Sequence, residues 1–121
     1  MSQFSKNIKP FVEQELQCAK SKRLEGNIEE EFKHLENAHV LGQNSTWYHV
    51  KVHCLMFAWG MRQKSIKEVF GQLLRIVGAA TKTALKLVPA GNTGGSNISP
   101  FKPLPLSKEH AQIIERASKA S

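Results

Sequence analysis

Cysteine is scarce in this chain: Cys18 and Cys54 stand alone among 121 residues, and no Cys-x-x-Cys pair occurs. That argues against a disulfide scaffold and a thiolate zinc site, and makes a reducing, cytoplasmic setting the expectation. Long apolar runs are missing as well. The longest, Cys54-Leu55-Met56-Phe57-Ala58-Trp59, is far short of the ~20 residues a membrane helix needs. Residues 1–6 have no apolar core, which argues against a secretory signal. Acids thin out along the chain. Eight of the ten lie at or before Glu68 and none between Val69 and Lys108, where Arg75, Lys82, Lys86, Lys102 and Lys108 accumulate. Such a one-signed stretch either attracts an acidic protein or nucleic acid, or is simply the solvated face of a chain of net charge +7.

What remains has helical periodicity. Ile8, Val12, Leu16 and Ala19 recur at helical spacing, with Pro10 suited to a first helical position and Gly26 to a left-handed stop. Asn27 and Glu30 form a capping box opening a second helix, which buries Phe32, Leu35 and Ala38 and stops at Gly42. Ser45 caps a third helix to about Gly60, apolar nearly all round except for the sector of Lys51, Ala58 and Arg62, and therefore central. Ser65 and Glu68 open a fourth helix ending near Val88. Its apolar residues Ile66, Val69, Phe70, Leu73, Ile76, Val77, Ala80, Ala84 and Val88 predict a buried face, and Arg75, Lys82 and Lys86 a solvated basic one. Gly71 and Gly78 form a notch between the two faces.

Past Pro89 the texture changes to Gly/Pro-rich loop. Pro100, Pro103 and Pro105 enforce an extended path that Phe101, Leu104 and Leu106 anchor against the body. Ser107 caps a short final helix with Ile113, Ile114 and Ala117. The expected fold is all-α and a single domain over 1–121: a helical body at 8–88, a wrapping segment at 89–106 and a terminal helix at 107–120. The body is expected to be a four-helix bundle of antiparallel hairpins. Gly26 and Gly60, 34 residues apart between helix pairs, predict tetratricopeptide-like packing without a full repeat array.

Chemistry concentrates in three histidines. His39 shares the inward face of Leu35, while His49 and His53, about 40° apart on the third helix, share a sector with Met56 and Gly60. A short hairpin brings the three together. Buried imidazoles need partners, and a divalent metal held by neutral ring nitrogens is one answer. Glu36, three residues before His39, completes a Glu-x-x-His pair of the kind that helical metal sites use. The candidate site is thus Glu36, His39, His49 and His53, with Gln43 and Gln72 orienting the ligands, and it suits zinc, iron, nickel or copper. Glu13 and Glu15 are the first-helix carboxylates able to extend it, whereas His34 points to solvent. Cys54, Met61, Trp47, Tyr48 and Trp59 read as core. The competing reading is histidines that pair within the core and bind no metal.

Gly91, Asn92, Thr93, Gly94 and Gly95 can present backbone amides to an anion beside Lys82 or Lys86, or can form a redirecting turn, the simpler reading. No nucleophile, base and orienter occur together, so no catalytic residue is assigned.

The strings Ala38-His39-Val40-Leu41-Gly42-Gln43, His49-Val50-Lys51-Val52-His53, Gly71-Gln72-Leu73-Leu74-Arg75 and Gly91-Asn92-Thr93-Gly94-Gly95, taken in combination, resemble a bacterial family, the domain of unknown function 3703. The resemblance covers nearly the whole chain. It implies a bacterial cytosolic protein and marks His39, Gln43, His49, His53, Gln72, Arg75 and the glycine loop as candidate positions, without supplying a mechanism.

Overall fold

Side-chain caps punctuate the chain. Ser2 accepts from the Ser5 amide at 3.1 Å and opens α1 (Gln3–Leu24). This is about two turns before Pro10, the expected start, because the Ser2 cap and the burial of Ser5 and Ile8 favour an earlier nucleus. Pro10 lies inside α1 on its exposed side, where the carbonyl it leaves unbonded can be hydrated. Asn27 accepts from the Glu30 amide at 3.3 Å and opens α2 (Ile28–Gly42). Ser45 does the same for α3 (Thr46–Arg62) through the Tyr48 amide, and Ser65 for α4 (Ile66–Lys82) through the Glu68 amide. Ser107 caps α5 (Lys108–Lys119) through the His110 amide.

The computed structural model describes residues 2–82, 94–95 and 103–119, with the side chains of 81 and 82 outside that description. The described residues form five helices and no strand, and among them no helix is long and apolar enough to cross a membrane. The expected continuation of α4 through Ala84 to Val88, and the anchor Phe101 with Pro100, lie outside the described residues. Leu104 and Leu106 are half-buried and alternate with exposed Pro103 and Pro105.

The core gathers Ile8 and Val12 from α1, Leu35 and Ala38 from α2, and Tyr48, Val52 and Met56 from α3, with Ala117 of α5 closing one side. Each of these is nearly inaccessible, so each contributes roughly 1.5–3 kcal/mol of apolar transfer if large. Helix α1 packs along α2, α2 along α3, and α5 on both α1 and α2. Helix α4 packs on α3 and on no other described helix. Ser45 does two tasks, capping α3 and sharing a buried hydroxyl–hydroxyl hydrogen bond with Ser5 that pins the start of α3 to α1. Buried Glu31 pairs with Arg62, tying the start of α2 to the end of α3. Trp59 stacks at 4.5 Å on Phe32 and donates its ring N–H to the Ile28 carbonyl.

The main departure is the orientation of α4. Glu68, Gln72, Arg75 and Ala79, one turn apart along a single stripe, face the body, whereas Ile66, Phe70, Leu73, Leu74 and Val77 stand 45–77% exposed. Of the face expected to be buried, Ile66, Phe70, Leu73, Val77 and Ala80 are exposed, whereas Val69 and Ile76 are half-buried. Arg75, expected on a solvated basic face, is half-buried and donates to the Gly71 carbonyl. Three other expected core residues are also on the surface: Trp47, Met61 and Cys54 are exposed.

Candidate metal centre

The turn between α2 and α3 is three residues long, and Gly42 makes it tight. A Cβ on Gly42 would lie 2.9 Å from Tyr48 Cβ and 3.3 Å from Val12 Cγ2, so only hydrogen fits at this crossing. The close approach sets His39, near the end of α2, against His49 and His53, one turn apart on α3. All three are buried, with 2%, 6% and 2% of their surface accessible. Their ring centroids form a near-equilateral triangle of 5.0, 4.7 and 4.9 Å, and one ligand nitrogen from each lies within 4.8 Å of the others.

His39 Nε2 and His53 Nε2 are 3.2 Å apart. Two nitrogens bound tetrahedrally at 2.0–2.1 Å to a zinc ion are about 3.3 Å apart, so this pair already has the spacing of adjacent ligands.

The protonation of His53 follows from its neighbours. Gln72, fully buried, directs its amide N–H groups to Glu68 Oε2 at 3.0 Å and the Gly94 carbonyl at 2.8 Å. Both partners only accept, so the amide oxygen must face the other way, toward His53 Nδ1 at 2.6 Å. His53 therefore donates from Nδ1 and keeps the lone pair on Nε2, aimed into the cluster. His39 Nε2 then donates to His53 Nε2 across the 3.2 Å contact. Glu68, Gln72 and His53 make a carboxylate–amide–imidazole chain running from the α4 stripe to the middle of the cluster.

Gly94 lies against the His39 ring. Its φ is +84°, and a Cβ there would meet His39 Cδ2 at 2.5 Å and Nε2 at 2.8 Å. Gly94 and Gly95 are buried, and the positive φ of Gly94 is the conformation for which the expected turn uses glycine. Gly91, Asn92, Thr93 and Lys86 lie outside the described residues, as does the side chain of Lys82.

Other candidates fall into place around this centre. Glu36 is half-buried one turn before His39 and is not one of the side chains whose ligand atoms converge. Gln43 is buried at the C-cap of α2, one turn after His39. Glu13 and Glu15 are engaged elsewhere, Glu13 with Lys51 at 3.2 Å and Glu15 with both His34 at 2.9 Å and Asn37 at 3.1 Å. His34 is thus half-buried and paired, contrary to the solvated position expected of it. Burial lowers the Arg75 guanidinium pKa from its ordinary value while the nearby Glu68 charge opposes that shift. Sequence reasoning missed Glu68, for which its i,i+4 spacing from Gln72 is a usable signal, and placed Gly94 in a candidate anion-binding or turn loop without its contact with His39.

A family model described as Protein of unknown function (DUF3703) matches residues 6–114. No curated protein and no solved structure matches the chain.

Proposed function

The chain belongs to the DUF3703 family, and we propose that it binds a first-row divalent transition metal through His39, His49 and His53, in metal handling or sensing. The observation that carries this reading is the convergence of three buried imidazole nitrogens within 4.8 Å. Neutral imidazoles suit zinc, copper, nickel or iron, and three of them leave a fourth position for an exogenous ligand. Gln72 supports the reading as a positioning residue, since it holds His53 in the tautomer whose Nε2 can ligate. Glu68 supplies negative charge one hydrogen bond further out, which offsets part of the ion's uncompensated charge in a buried site. Glu36 stays outside the first coordination sphere in this reading. The helix pairs α1–α2 and α3–α4 and the 34-residue interval support tetratricopeptide-like packing as the frame, and two unpaired cysteines suit a reducing, cytoplasmic compartment.

Elemental analysis and zinc titration of the full chain, purified without a histidine tag, test the proposal. The expected result is about one equivalent bound, lost in the His39→Ala, His53→Ala double variant. Less than about a tenth of an equivalent after titration, or binding unchanged in the double variant, would overturn it.

A further inference from the structure

The outward face of α4 presents exposed apolar side chains on the side away from the histidine centre. Ile66, Phe70, Leu73 and Val77 follow one another at intervals of four, three and four, the a/d spacing of a coiled-coil seam, and all four are exposed. Exposed Ala80 continues the series and exposed Leu74 flanks it. At the stripe's N-terminal end, exposed Met61 lines an apolar cleft with Ile66, Val69 and Phe70. An amphipathic helix that turns its polar stripe to its own body and its seam to water is arranged to take another helix.

We propose that this seam pairs, antiparallel and about a two-fold axis, with α4 of a second copy of the chain. The argument is self-complementarity. Antiparallel helices set a positions against d positions. With the axis passing between Gly71 and Gln72, Ile66 meets the partner's Val77 and Phe70 meets the partner's Leu73. The two-fold repeats both layers, so each large apolar residue of the seam has a counterpart. Charge permits the same register. Lys67 is the exposed lysine flanking the seam, and in this arrangement it lies beside the partner's Leu74. The two copies of Lys67 are then about 13 Å or more apart along the axis, beyond the ~8 Å over which charges are felt at physiological ionic strength. A contact of three helical turns covers on the order of 500 Å² per copy, below the ~800 Å² of a standard interface, so a weak, concentration-dependent dimer is expected.

Sedimentation equilibrium of the full chain from about 1 µM to about 1 mM, with chelator present so that metal plays no part, tests the proposal. A monomer–dimer equilibrium is expected, weakened at least about tenfold by Phe70→Glu with Leu73→Glu while helicity by circular dichroism is retained. I66K and V77E separately weaken association, and together they restore it, because the antiparallel register sets each new charge against its opposite. A chain monomeric throughout overturns the proposal, whether its seam is kept for a different protein or covered by residues 83–102 of the same chain. A dimer indifferent to the Phe70 and Leu73 substitutions overturns it too, as does failure of the I66K, V77E pair to restore association.

Discussion

At the residue scale, Gln72 links a helix outside the core to the centre of the site. Its two amide hydrogens are both taken by groups that only accept, so its oxygen has one orientation, and His53 inherits one tautomer from it. Replacing Gln72 by Leu removes the acceptor and frees His53 to move its proton to Nε2. Zinc affinity is expected to fall about 10–100-fold, as is usual for the outer partner of a ligating histidine. Competition titration checks the affinity, and nitrogen-15 shifts of the His53 ring check the tautomer. Gln72→Glu, which keeps an acceptor at the same place, should retain the Nδ1–H form.

The elements themselves were mostly legible in sequence. Asn27, Ser45, Ser65 and Ser107 were each expected as caps and each accepts from the amide three residues on. The three histidines were legible for the same reason: helical spacing and a short turn are local facts, and together they fix which rings can meet. The orientation of α4 was not legible. Apolar spacing reveals which side of a helix is oily, and the usual inference that this side is buried fails when Glu68 and Gln72 find hydrogen-bond partners inside. Gly94 was legible as a loop candidate, but its meeting with His39 was not, because the two are more than fifty positions apart and no periodic pattern records a contact of that range.

Gly42 is the element-scale counterpart of Gln72, because it sets how closely α2 approaches α3. Gly42→Ala puts a methyl 2.9 Å from Tyr48 Cβ, where no flexible chain end can yield. A loss of about 1–3 kcal/mol is expected on urea unfolding, the range for overpacking in a close-packed interior. The hairpin must also widen, so this variant should bind zinc more weakly than its stability loss alone implies.

For the whole molecule, metal binding and stability are one measurement. The three candidate ligands come from two helices and their orienting group from a third, and the unfolded chain offers no such arrangement. Zinc at about 100 times its dissociation constant should therefore stabilise the fold by about 2.7 kcal/mol. For a chain of this size that is a rise in Tm of roughly 5–15 °C, reversed by chelator and readable by calorimetry. The increment should disappear as pH drops from about 8 to about 5, since protons compete with metal for the same imidazole lone pairs. An equal rise at pH 5, or one that survives in the His39→Ala, His53→Ala double variant, would place the stabilising metal elsewhere.

Among the described helices, α4 packs on α3 alone. Its tilt is set along one edge, yet Glu68 and Gln72 on its inner side steady an imidazole while Phe70 and Leu73 on its outer side meet water. A partner that shifts this rod on gripping its outside would also alter the hydrogen bond at its inside. Thermodynamic reciprocity then sets the exchange between them: by whatever factor occupancy of one side alters affinity at the other, the reverse influence is equal.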